Sequence, residues 1–297
     1  MERTRAAAIA EGLFAVVVWG ASFIATKVAL REVRPETVVW LRFAIGVAVL
    51  AAAVGARRQF ARVGPAEFGR FAVLGFIGIT FHQWLQSTAL LTSRASTSGW
   101  IIAATPVFMA LLARAALGER LGWLRWGGIA LAGFGVLLVV TKGQPAAALA
   151  GSFGDRGDLL MLLSSPNWAV FSVLSRRQLS RHPAARLMLY VMASGWILST
   201  VPFLAGAGFP DVARLGSGGW AAIAFLGVAC SGLAYIAWFD ALERLPAAQV
   251  GALLYLEPLV AMAVAAAILG EAVTAAMVAG GAVILLGVWI VDRAPRS

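Results

Sequence analysis

The chain has 297 residues, 61% of them hydrophobic and only 13% charged, with a mean hydropathy of +0.85. Soluble domains carry about a quarter charged residues, so this composition excludes a well-wetted globule and argues against a soluble enzyme. The formal charge of +10 arises from 24 basic and 14 acidic residues, and every basic residue except Lys27 and Lys142 is Arg. In a soluble protein a pI near 11.2 would suggest nucleic acid. Here the Arg residues fall between apolar runs, which fits phosphate headgroups and topology control. The expected partner is therefore the lipid bilayer and not nucleic acid.

Apolar runs bounded by Gly, Pro and Arg clusters predict helices over 11–30, 37–55, 68–91, 95–115, 123–141, 158–175, 186–206, 220–241, 247–269 and 272–291. A helical span needs roughly 20 apolar residues, so ten spans use about 200 and leave about 100 for loops and ends. The runs are apolar on both faces, which excludes β-barrel strands. The fold class expected is an all-α integral membrane protein. The first run, from Leu13, contains Trp19 and lacks a small-x-small cleavage pattern, so no cleavable signal is expected. Cys230 is the single cysteine, which rules out an intrachain disulfide.

With a cytoplasmic N-terminus, sixteen basic residues fall on inside segments. Eight fall outside: Lys27, Arg31, Arg34, Arg42, Arg94, Lys142, Arg156 and Arg214. That two-to-one ratio favours both termini inside, although the first outer loop opposes it.

The chain also repeats itself. A shift of 152 residues aligns Leu74 with Leu226, Gly75 with Gly227 and Ala89–Leu90 with Ala241–Leu242. The same shift aligns Ala95 with Ala247, Gly99 with Gly251, Pro106 with Pro258 and Gly118–Glu119 with Gly270–Glu271. It also pairs Gly128 with Gly280 and Gly135 with Gly287, and a shift of 149 pairs Trp19 with Trp168. Two five-helix repeats are expected, over 1–145 and 158–297, joined by a linker at 146–157. Five is odd, so the second repeat enters the membrane from the opposite side. In such inverted repeats the substrate site tends to lie near the midplane between the halves. The bland alternative is a duplicated scaffold with no transport role.

The run Leu13–Lys27, with Trp19-Gly20-Ala21-Ser22-Phe23 inside it, resembles the first helix of the drug/metabolite transporter superfamily. So do Thr105-Pro106-Val107-Phe108 followed by Gly118-Glu119-Arg120-Leu121, and Glu257-Pro258-Leu259 followed by Leu269-Gly270-Glu271. Together they resemble the ten-helix EamA-type carriers over nearly the whole chain, with bacterial exporters of aromatic and other neutral amino acids most similar. The resemblance implies a metabolite exporter in the bacterial inner membrane. It also implies a central cavity lined mainly by the first, third, fourth, sixth, eighth and ninth helices.

Polar stripes on apolar helices should face a cavity or another helix. His82, Gln83, Gln86 and Ser87 share one face of the third predicted helix, and Ser231, Tyr235 and Trp238 share one face of the eighth. The shift of 152 maps Gln83 onto Tyr235 and Gln86 onto Trp238. Trp19, Ser22 and Thr26 line one stripe of the first helix, and Ser164, Asn167, Trp168 and Ser175 mark the sixth. Trp100 and Thr105 belong to the fourth. The candidate substrate-binding set is Trp19, Ser22, His82, Gln83, Gln86, Trp100, Trp168, Tyr235 and Trp238. Packing or interhelical hydrogen bonding is the competing reading for each.

Pro106 and Pro258 are candidate hinges, because each proline leaves a carbonyl, of Ile102 and Leu254, without its usual donor. Glu257 is the candidate proton or cation site, with a neutral acid donating to a carbonyl as the alternative. The predicted fifth and tenth helices carry small faces at Gly128, Gly135, Gly280 and Gly287, suited to close packing or to a homodimer. Gly118–Glu119 and Gly270–Glu271 read as tight hairpin ends.

Rival classes lack their signatures. No His-Glu-x-x-His zinc site, Gly-x-Ser-x-Gly elbow or phosphate-binding loop occurs, so no enzyme, ATP-driven pump, metal or cofactor is expected. The reading is a secondary carrier for small amphipathic metabolites. A multidrug or other efflux carrier is the runner-up, and a passive channel or a non-transporting scaffold stands behind it.

Overall fold

The computed structural model describes residues 5–117, 122–146, 154–179, 181–206, 208–242, 244–245, 250 and 253–293, and among them it contains helices and no strand. The Gly118–Glu119 hairpin, residues 147–153 of the expected linker, and the repeat positions Ala247 and Gly251 lie outside the described residues.

Helix α1 is Arg5–Ala29 and α2 is Pro35–Ala56. Pro35 occupies the first turn of α2, where its missing N–H costs nothing, and Glu36 adds a negative charge to that end. Helix α3 covers 65–89 as an α-helix Pro65–Gly75, a π-helical stretch Phe76–Phe81 and an α-helix His82–Ala89. Helix α4 is Ala95–Ile102, α5 is Thr105–Leu117 and α6 is Trp123–Val140. Helix α7 is Arg156–Leu179, α8 is Ala184–Ala205 and α9 is the short turn Gly208–Val212.

Helix α10 covers 217–242 and repeats the pattern of α3, with α-helical Ser217–Ala224, π-helical Phe225–Leu233 and α-helical Ala234–Leu242. A 3-10 turn, Leu254–Leu256, leads into α11, Glu257–Leu269, and α12 is Ala275–Arg293.

Among the described residues, six helical stretches are long and apolar enough to cross a membrane: Arg5–Ala29, Pro35–Ala56, Trp123–Val140, Arg156–Ser175, Ala184–Ala205 and Ser217–Ala241. Their outer faces leave large apolar side chains uncovered. Val201 is 71% exposed and Ile197 57%, a surface that suits lipid and not water.

The span expected over 95–115 is interrupted. Residues 103–104 form a turn between α4 and α5, because Pro106 cannot donate to Ile102. The freed Ile102 carbonyl is not left bare. The Thr105 hydroxyl donates to it at 2.7 Å. Likewise the Leu254 carbonyl accepts the Glu257 N–H through the 3-10 turn. The exposed acceptors expected at the two prolines are thus both taken within the chain.

Helix α12 packs most extensively on α6, with α2 against α8 and α10, and α3 against α7 and α8. Helix α1 lies on α10 and α11, while α4 lies on α11 and α5 on α7. The small faces of α6 and α12 meet each other within the chain. A Cβ on Gly287 would lie 2.4 Å from the Ala132 nitrogen, and one on Gly135 would lie 2.7 Å from the Gly280 oxygen. A homodimer through these helices would therefore have to use their other faces.

The two π stretches fall where helices cross backbone to backbone. A Cβ on Gly75 would stand 2.6 Å from both the Gly195 nitrogen and the Val191 oxygen of α8, and one on Gly227 would stand 2.5 Å from Ile45 of α2. A π turn takes up an extra residue and shifts the carbonyl pattern. In each stretch one carbonyl accepts from a side chain of another helix: Asn167 Nδ2 donates to Ile77 O at 2.9 Å, and Trp19 Nε1 donates to Cys230 O at 3.1 Å. Asn167 and Trp19 thereby anchor α7 to α3 and α1 to α10.

The α6–α12 contact generates a prediction. Replacing Gly287 with Leu overpacks a backbone contact, costs about 1–3 kcal/mol and lowers the Tm in detergent. Gly127→Ala, on the partner helix α6 but with open space around the new methyl, leaves Tm unchanged or higher.

Candidate functional site

Helix starts carry unpaired N–H groups and a partial positive charge, so they attract carboxylates. On one face of the molecule other helices' loops supply them. Glu32, after α1, accepts the N–H of Gly216 at 2.7 Å and of Gly219 at 3.1 Å at the start of α10. Asp211 of α9 accepts the Arg34 N–H at 2.8 Å and the Thr37 hydroxyl at 2.7 Å at the start of α2. Glu271, after α11, accepts the N–H groups of Ala95 and Ser96 and the Ser96 hydroxyl at 2.9, 3.1 and 2.5 Å at the start of α4. Lys27 and Arg94 stand 3.8 and 3.7 Å from the same carboxylate.

Gly270 is left-handed at φ 66°, which turns the chain sharply enough to aim Glu271 at α4. As a tight helix end the Gly270–Glu271 pair matches its sequence reading. The cap made by Glu271 had no sequence signal beyond an acidic residue beside a glycine. An open cavity of 410 Å³ lies beside it, lined by Lys27, Arg31, Arg94, Glu271 and four leucines. None of the candidate substrate-binding residues lines that cavity.

Those residues lie deeper. Trp19 is ten residues from the end of α1, and Trp168 and Glu257 are each twelve from the α7 start and the α11 end. At 1.5 Å per residue this is about 15–18 Å from the capped face, near the middle of a 30 Å hydrocarbon layer.

Several of them meet. The Trp19 ring sits edge-on to Tyr235 at 5.4 Å and tilted against Trp238 at 5.3 Å. His82 lies 4.8 Å from Trp168, which in turn lies 4.9 Å from Phe171. Trp19, Trp168 and Tyr235 share one apolar cluster with Phe43 and Phe171. Gln83 is buried, and its Oε1 accepts from Arg42 Nη1 at 3.0 Å. Arg42 Nε donates to Ser231 Oγ at 3.2 Å.

The two polar stripes, on α3 and α10, are therefore joined by Arg42 of α2. Arg42 was assigned above to an outer segment with the loop basics. The structure corrects this: Arg42 is 6% exposed and lies seven residues inside α2. The signal was present, since Val38-Val39-Trp40-Leu41 precede it and Phe43 follows without a polar neighbour.

Other candidates stand apart. Trp100 is buried between α4 and α12, where its ring fills the space a Gly281 side chain would need. Ser22 and Gln86 are half-buried beside the cluster without a side-chain hydrogen bond among the described residues. Glu257 is half-buried and its carboxylate makes no hydrogen bond or ion pair among the described residues, with Tyr235 within electrostatic reach. Pro106 and Pro258 begin α5 and α11 as described above.

A buried cation, two amides or hydroxyls and a group of indoles suit the binding of a small solute with a polar end and an apolar body. Comparison with known proteins agrees with a transporter. The EamA-like transporter family matches residues 7–141 and again 155–292. The chain belongs to that family. It is a membrane transporter, and its relatives include one named "probable terminal-alkyne amino-acid exporter" from Streptantibioticus cattleyicolor, 28% identical, covering 94% of this chain and 91% of that one. Another is named "probable amino-acid metabolite efflux pump", from Escherichia coli K12, 27% identical over 94% of this chain and 92% of its own. A solved crystal structure superposes with a TM-score of 0.66 at 25% identity, covering 97% of this chain and 96% of that one.

Within this EamA-like transporter the caps titrate. Burial pushes the Glu271 carboxyl up, but the Ser96 hydroxyl, the N–H groups of Ser96 and Ala95, and Lys27 outweigh it and hold the group below its ordinary 4.5. Asp211 is held below its ordinary range in the same way, burial being outweighed by the Arg34 N–H, the Thr37 hydroxyl and Arg214. A depressed folded value adds stability that is fully present above the ordinary value and lost as pH falls through the folded one. Tm in detergent is therefore level at neutral pH and falls below pH 4.5. Glu271→Gln lowers Tm at pH 7 and flattens the acid-side fall; a variant with the wild-type acid slope would count against the cap.

Proposed function

We propose that this EamA-like transporter is a secondary carrier that exports small amphipathic metabolites, with aromatic and other neutral amino acids as the leading class. On this reading two oppositely threaded five-span modules, 1–145 and 158–297, alternate access to a site between them. The α4–α5 pair counts as one broken span, and both termini face the cytoplasm of a bacterial inner membrane.

The observation that carries it is the Arg42 bridge. One buried guanidinium joins Gln83 of α3 to Ser231 of α10, beside indoles contributed by α1, α7 and α10. The paired matches to the family, the paired π stretches at positions related by the 152-residue shift, and the printed names of the relatives support it.

Each residue then has a role. Trp19, Trp168, Tyr235 and Trp238 receive the apolar part of the solute, while Trp100 holds α4 against α12 away from that cluster. Ser22, His82, Gln83 and Gln86 orient the polar end. Pro106 and Pro258 supply the weak points at which α4–α5 and α11 bend. Glu257 takes a substrate ammonium or a proton.

Counterflow of labelled L-phenylalanine, L-leucine and L-threonine in proteoliposomes tests this. Wild-type protein gives saturable counterflow. Trp168→Ala and Gln83→Ala each lower it on the order of tenfold, the cost of about 1.4 kcal/mol of binding energy, without loss of folded protein. Flux of every amino acid tried at the level of empty liposomes would overturn the carrier reading, and non-saturable flux without counterflow would mark a channel.

The Glu257 role has its own readout. Glu257→Gln removes the dependence of counterflow on pH, or shifts preference away from amine-bearing solutes. A variant with wild-type pH dependence and selectivity would dismiss it.

A further inference from the structure

A charge inside a membrane protein is best met by a partner of opposite sign, and several charges here have one. Lys27 stands by Glu271, Arg57 forms a two-pronged pair with Asp240 at 2.8 and 2.7 Å, and Arg244 meets Glu11 at 3.1 Å. Arg42 is different. It is nine-tenths buried, yet its hydrogen-bond partners are the neutral Gln83 and Ser231, and its guanidinium lies 5.0 Å from the Phe43 ring centre. Tyr235, Cys230 and His82 lie within its electrostatic reach, and they too bring no negative charge.

A guanidinium has five N–H donors and does not give up its proton in a protein. Two of the five are used; the second Nη1–H and both on Nη2 have no acceptor among the described residues. Neutral acceptors do not offset the cost of burying the charge. The site is built as a cation lacking its anion.

We propose that Arg42 binds the carboxylate of the transported solute. Nη2 and the free Nη1–H present the flat fork that fits a carboxylate through two parallel hydrogen bonds. Trp168 lies against His82, which is within electrostatic reach of Arg42, and Trp19 meets Trp238 and donates to the Cys230 carbonyl next to Ser231, so indoles for an apolar or aromatic body stand one residue away. The substrate class is thereby narrowed to amphipathic carboxylates, amino acids among them, and amines or alcohols of the same shape are excluded. This rests on the carrier reading, and it adds the group that tells one solute from another.

Gln83 matters to the argument. It is the amide counterpart of Glu, and it holds the guanidinium in place without neutralising it. A carboxylate there would neutralise the guanidinium from within the chain and leave it no charge to offer an outside anion.

The test is thermal unfolding of the purified full-length protein in detergent with L-phenylalanine, 3-phenylpropionate, phenethylamine, L-phenylalaninol and sodium chloride. The two carboxylates are expected to raise Tm by several degrees, and the amine, the alcohol and the salt are not. Arg42→Gln abolishes the shift, and Arg42→Lys weakens apparent affinity by about tenfold or more, since an ammonium cannot present the fork. Gln83→Glu covers the case in which Arg42→Gln does not fold: it supplies an internal partner, keeps Tm at or above wild type, and abolishes the carboxylate shift.

The proposal is overturned if the shift survives in Gln83→Glu, if phenethylamine or phenylalaninol stabilises as well as phenylalanine, or if neither carboxylate stabilises the wild type. Carboxylate shifts that vanish in the variants, with no counterflow in liposomes, would uphold the site and remove the carrier reading. Saturable counterflow indifferent to Arg42→Gln would do the reverse.

Discussion

In the hydrocarbon core a polar group has no water to return to, so each carbonyl, amide and charge must be matched inside the protein. That requirement decides where the polar residues of this chain stand. The Thr105 hydroxyl takes the carbonyl freed by Pro106, and Asn167 and Trp19 reach carbonyls in the two π stretches. Lys27 is met by the Ser93 carbonyl at 2.6 Å as well as by Glu271. Each such match ties one helix to another. The demand for partners therefore also fixes which helices touch.

Against that background the capped face has a particular character. Glu32, Asp211 and Glu271 each reach from one part of the chain to a helix start more than 170 residues away. A hydrogen bond to a charged group contributes about 1.5–3 kcal/mol, and near water it is weakened by salt. Three such carboxylate caps tie helix ends together on this face, yet none is strong enough to forbid their separation. For a carrier that alternates, such contacts are better suited than a continuous apolar seam, which would have to expose its whole area to separate.

The sequence made most of the helices visible, because spans written as unbroken apolar runs leave few other options in 297 residues. The polar stripes on α3 and α10 and the central indoles were visible for the same reason. What stayed hidden was three-dimensional. Residue counting by loops hid Arg42, since a charge two turns inside a helix counts with its nearest loop. The π stretches leave no period of their own, and the close approaches beside them at Gly75 and Gly227 are made only by the fold. Glu271 looked like a hairpin residue until the fold brought the start of α4 to it. Trp100 shared its composition with the other central indoles, and only Gly281 explains why it packs elsewhere.

The position of Arg42 bears on how binding could drive movement. A ligand shifts a conformational equilibrium only by the difference in its affinity for the two states. Arg42 grips α3 through Gln83 and α10 through Ser231, and on the proposed assignment a carboxylate at its remaining donors adds a third load to a guanidinium that already ties three helices together. The pull of that anion weakens the hold of the guanidinium on its neutral acceptors. A solute without the anion fills the aromatic cluster and leaves the bridge intact. On the proposed assignment, selection of the solute and loosening of the α2–α3–α10 junction are one event at one side chain.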